Sequence, residues 1–147
     1  MAFKFSTGFR NALMVTGSAK ARLDAGFIKI YAGTVPATAD AALGSATLLC
    51  TISDNSGAGG LTFEAAAADG VMSKTAAQVW SGVNAASGTA SFFRYVAAGD
   101  DGTLSTTQER VQGLVGFAGS DMNLSSTGLV ATETQIIDYF ALAFPTA

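Results

Sequence analysis

The chain has 147 residues, of which 49% are apolar and only 13% charged, with a formal charge of −3. That length suits one domain with a real core and excludes two comfortable ones. There is no histidine and a single cysteine, Cys50, so the commonest general base and metal ligand are missing and no intrachain disulfide can form.

The usual charged share is about 25%, so Ala, Gly, Ser and Thr must make an unusually neutral surface, cheap to desolvate against other proteins. The charge is uneven. Residues 1–30 carry +4, and residues 31–147 carry −7. A basic front and an acidic body argue against general nucleic-acid binding and permit docking of the front on an acidic partner. No apolar run reaches the ~18 residues of a membrane span. Ala12–Val15 is too short for the apolar region of a secretory signal, which leads us to expect a protein kept in the cytosol or assembled there.

In chain order, Ser6 or Thr7 can cap a helix, and Phe9 and Leu13 recur at helical spacing, predicting a short helix near Thr7–Ala21 that Gly17 loosens. Residues 1–22 then form an N-terminal helical arm and 23–147 a β-sandwich body. Gly26–Gly33 ("GFIKIYAG") is a Gly-bounded strand with Ile28 and Ile30 on one face and Lys29 on the other. Pro36 makes Thr34–Gly44 a loop, with one helical turn over Ala37–Leu43. Ala46–Ser53 ("ATLLCTIS") reads as a buried strand in which Cys50 behaves as a small hydrophobe. Asp54–Gly60 is turn chemistry.

Short strands follow at "LTFEAA" (61–66), at "DGVMSK" (69–74) after an Asp-Gly turn, and at Ala77–Val83. Over Thr89–Ala97 both faces are largely apolar, with Phe92, Arg94 and Val96 on one and Phe93 and Tyr95 on the other. This is the pattern of a central strand covered on both sides, or covered on one of them by a partner, ending at the Asp100-Asp101-Gly102 turn. Glu109–Gly119 alternates, 120–129 reads as polar loop, and Thr132–Phe144 ("TETQIIDYFALAF") is the longest strand candidate. About eight strands with short turns predict an all-β, antiparallel jelly-roll or β-sandwich fold.

Chemistry-bearing constellations are sparse. The acidic turns lack the spaced Asp-x-Asx-x-Asx-Gly pattern of a calcium loop. Glu64, Glu109 and Glu133 offer carboxylates whose separation the sequence does not give. Trp80, Tyr31 and Tyr95 are the rings that could stack on a sugar. No catalytic, cofactor or metal residue is assigned, and no cofactor is expected.

Several phrases, in order, carry a resemblance: "GFRNALM", "IKIYAGTVPATADAALGSATLL", "GTASFFRY", "VQGLVG" and "DMNLSSTGLVATETQIIDYFAL". The positions are Ile30-Tyr31, Gly33, Pro36, Ala39-Asp40, Leu43, Gly88-Thr89-Ala90, Phe93-Arg94, Asp121, Asn123-Leu124, Thr127 and Leu129-Val130. The chain resembles small virion proteins of tailed bacteriophages that decorate or cement an assembled capsid; Phe92 and "ATET" depart from the pattern. The resemblance implies a structural role on the capsid surface, with the major capsid protein as partner and a homo-dimer or homo-trimer as the working form, and neither nucleic acid nor membrane bound. Lys4, Arg10, Lys20 and Arg22 become candidate capsid-docking residues, and Phe92, Phe93, Tyr95 and Tyr139 candidate subunit-interface or core aromatics. A receptor- or carbohydrate-binding module, or another head or tail component, is the alternative.

Overall fold

A computed structural model describes residues 3–144. At the front, β1 (Lys4–Phe5) leads into α1 (Thr7–Val15) and α2 (Ala19–Leu23). The single predicted helix is thus two. Ser6 caps the first through Phe9 N–H and Ser18 caps the second through Ala21 N–H, so a second N-cap next to Gly17 restarts the helix.

The strands that follow are β2 (Phe27–Ala32), β3 (Thr47–Asp54), β4 (Val71–Ser73), β5 (Trp80–Val83), β6 (Gly88–Thr89) and β7 (Phe92–Val96). Then come β8 (Arg110–Gly116), β9 (Met122–Asn123), β10 (Gly128–Leu129), β11 (Thr134–Ile137) and β12 (Ala141–Ala143). Eight of them form one sheet in the order β1-β8-β7-β2-β3-β5-β11, with β9 also on β8; β6–β10 and β4–β12 are separate pairs. All pairings are antiparallel except β8–β9. The fold is all-β and sandwich-like, as expected.

One sheet face makes the core. Ile28 and Ile30, Phe93 and Tyr95, and Val111 and Val115 meet the inner side chains Trp80 and Ile137 of β5 and β11, and Phe140, Met72 and Leu142 close the other side. The rings pack at offset and edge-on angles, with Phe63–Trp80 at 5.4 Å, Trp80–Phe140 at 5.8 Å and Phe93–Phe140 at 5.6 Å between centroids; each such pair adds about 1 kcal/mol beyond area burial. Phe9 and Leu23 of the helices belong to the same core, so the helices are packed into the body.

Four further sequence readings change. Residues 37–43 form bends without a helical turn, because Thr38 and Ala41 give their carbonyls to Arg94. Residues 61–66 make isolated bridges at Leu61 and Phe63 in place of a strand. The "polar loop" 120–129 holds β9 and β10 and buries Met122, Leu124 and Leu129. The longest strand candidate breaks at Asp138–Phe140: Ile137, Phe140 and Leu142 are buried while Ile136 and Tyr139 face out. The chain there leaves the edge of one sheet to pair with β4.

Candidate interaction surface

The second face of the sheet is built from polar donors. Lys4 of β1 lies opposite Gln112 of β8, Gln112 opposite Arg94 of β7, and Arg94 opposite Lys29 of β2. These four side chains form one row across four strands, and each donates to a loop carbonyl. Lys4 Nζ meets Ala37 O at 2.9 Å, Gln112 Nε2 meets Pro36 O at 2.8 Å, and Lys29 Nζ meets Asp100 O at 3.2 Å. Arg94 reaches Ala41 O at 2.8 Å and Thr38 O at 3.3 Å, while its Nε donates to Gln112 Oε1 at 2.9 Å. Residues 36–41 are therefore a strap bound over the sheet by their backbone oxygens. That coverage is why β7 is buried at all five positions, as the two-faced apolar pattern predicts.

Beside this row sits a fully buried ion pair. Arg110 Nε and Nη2 meet the two Asp100 carboxylate oxygens at 2.6 and 2.7 Å, and the guanidinium also donates to Ala39 O and Thr103 O. Both side chains have no exposure. Burial pushes the Asp100 carboxyl up, but bonds from Arg110 and from the Gly102 amide outweigh it and hold the group below its ordinary range. Arg94 has no carboxylate. Its burial, with Arg110 nearby, lowers its pKa to about 10. Asp40 receives the Thr7 hydroxyl at 2.6 Å and amide at 2.8 Å, placing a carboxylate on the first turn of α1 and tying the strap to the helix.

The cations of the basic front are exposed or half-exposed, and most of them are tied to the body by hydrogen bonds or ion pairs. Lys20 pairs with Asp24 at 2.6 Å and donates to Phe63 O, and Arg22 grips Glu109 through Nε at 3.0 and 3.1 Å. Lys4 holds the strap, and exposed Arg10 bonds the Thr7 hydroxyl. Of the candidate aromatics, Phe92, Phe93 and Tyr95 are core, while Tyr139 is 73% exposed. Trp80, Tyr31 and Tyr95 are all buried, so no sugar-stacking platform stands on them. Among the described residues no His/Cys/Asp/Glu group could hold a metal ion, and no helix is long and apolar enough to cross a membrane.

Among the exposed large apolar side chains of the described residues, two groups stand out. One lies on α1, where Met14 and Val15 are exposed and Met14 shares a cleft with Phe144. The other surrounds β11, with Val83 on the neighbouring strand and Ile136 and Tyr139 at 49% and 73% exposure. Next to it a cleft of about 280 Å³ is lined by Asp121, Met122, Ile136, Asp138 and Tyr139. Glu133 and Asp138 are exposed and form no ion pair among the described residues. The sequence reading did not show this surface, because it ran Ile136 and Tyr139 together in one unbroken strand candidate, Thr132–Phe144. The signal available was Asp138, a charge inside an otherwise apolar run.

Comparison of the chain with protein-family models, with curated proteins and with solved structures finds no match.

Proposed function

We propose that this chain is a structural component of a tailed-phage virion that decorates or cements the capsid, binding between capsid subunits and stabilising the shell by burial without a chemical step. The observation that supports the reading is the ordered set of phrases that resembles such proteins. Several of its positions have a physical role here: Pro36, Ala39 and Asp40 belong to the strap, and Arg94 holds it. The resemblance thus follows an architecture and not an active site. Many copies of a modest contact add up on a shell through multivalency.

The test is to purify particles from a host carrying the gene and from one lacking it. The chain is expected in the particles at a fixed ratio to the major capsid protein, and particles without it should release their genome at lower temperature. Absence of the chain from purified particles overturns the reading. Deleting residues 1–22 is not a usable variant, because it removes Phe9 from the core; Arg10→Glu changes the exposed basic front and leaves the body intact.

A further inference from the structure

We propose that the free edge of β11 is a docking strand for an extended, cationic segment of a partner protein, which adds to the sheet beyond β11. The inference deepens the reading of this chain as a binding component by naming the surface and the chemistry of its partner.

The edge is open. Among the described residues β11 ends the sheet and pairs with β5 alone. The Ile136 carbonyl accepts from the side-chain amide of its own neighbour Gln135, at 3.0 Å, a bond that an incoming backbone N–H can replace. Edge strands are ordinarily protected by Lys, Pro or a cover, and Thr134–Ile137 contains neither residue. Strand addition supplies affinity through backbone bonds and specificity through alternate side-chain contacts. Val83, Ile136 and Tyr139 provide the apolar contacts, and the cleft beside Asp121 and Asp138 provides a seat for a side chain.

Charge selects the occupant. Glu133 and Asp138 flank the strand at its two ends and have no basic partner among the described residues. A second copy pairing antiparallel near the centre of β11 would bring Glu133 of one chain to within one residue of Asp138 of the other, and like charges that close are unfavourable. A segment with Lys or Arg at those places is attracted instead.

The probe is an acetylated decapeptide of alternating Lys and Val, compared with its Glu-Val counterpart, titrated into the whole protein at low salt and followed by amide NMR shifts. The Lys-Val peptide is expected to bind with shifts confined to 80–84 and 133–139, and the Glu-Val peptide at least tenfold more weakly. Ile136→Pro should remove binding, with folding checked by circular dichroism. The exposed pair Glu133→Lys with Asp138→Lys should reverse the preference, with folding checked in the same way. No binding, equal binding of both peptides, or undiminished binding by the charge-reversed protein overturns the proposal. A dimer of the unmodified chain that Ile136→Pro dissociates overturns it in favour of a second copy. Because this assay needs no particle, its failure is distinct from absence of the chain from virions.

Discussion

At the scale of single residues, the Asp100–Arg110 pair and Cys50 show what burial does to a titrating group. Asp100→Asn leaves the Arg110 guanidinium buried and uncompensated, and we expect a loss of about 3–5 kcal/mol in urea unfolding. The same pair sets the acid limit. The Asp100 and Asp40 carboxyls titrate below their ordinary range, Asp100 held there by Arg110 and the Gly102 amide and Asp40 by Thr7, in both cases against burial. The unfolded chain therefore binds protons first as pH falls. The stabilisation is fully present above the ordinary carboxylate range near pH 4 and is lost as pH drops through the folded values. Asp100→Asn should flatten that acid limb, and an unchanged slope would show that the pair does not control it. Cys50 behaves in the opposite sense. Burial raises its thiol to about 11, so the unfolded chain ionises first and stability falls as pH rises from near 9 toward 11. In the folded protein at neutral pH the thiol should resist a disulfide reagent and react only at the rate of unfolding; rapid labelling of native protein would contradict its burial.

At the scale of elements, close backbone approach and loop anchoring decide the packing. A Cβ on Gly82 would stand 2.1 Å from Thr51 O and 2.9 Å from Cys50 Sγ, so Gly82→Ala must push β5 off β3. About 1–3 kcal/mol of destabilisation is expected from thermal or urea melts. The strap gives a local counterpart. Gln112→Leu removes the donor to Pro36 O and the acceptor of Arg94 Nε. The amides that tie the strap down, Leu43 to Gly102 O and Ser105 to Asp40 O, should then exchange with solvent faster than the β2–β7 ladder does; equal protection would mean the strap is held by other contacts. The elements that hold these sites differ in how plainly the sequence shows them. β2, β3, β7 and β8 are long enough for period-two alternation to register, and their boundaries follow from Gly and Asp turns. Residues 120–129 hide two strands because Met122, Leu124 and Leu129 each point inward singly from a polar stretch. The run 132–144 reads as one strand apart from the charge at Asp138, where the chain changes sheets, and periodicity alone carries no mark of which sheet a strand joins.

At the scale of the whole molecule, the distribution of charge is the property that the linear sequence misrepresents. Counting gives a basic front of +4 over residues 1–30, and that count is correct. The fold redirects it, because the partners are remote in sequence: Arg22 meets Glu109, Lys20 meets Phe63 O, Lys4 meets Ala37 O and Lys29 meets Asp100 O. Such long-range pairings exist only once the strands are assembled. Seven carboxylates, at Asp40, Asp54, Glu64, Asp69, Asp121, Glu133 and Asp138, form neither of the two exposed-side ion pairs nor the buried one, and with Asp101 they leave the outer field negative. A peptide of residues 3–30, unfolded and with its cations free, should therefore be retained on a heparin column at low salt. The folded protein should pass through the same column and bind an anion exchanger. Salt should weaken the second interaction as screening shortens to about 8 Å at physiological ionic strength. Retention of the folded protein on heparin would mean that the cations of the front stay available to an anionic partner despite their bonds to the body. It would restore the N-terminal segment as the docking surface and remove the charge argument from the β11 edge.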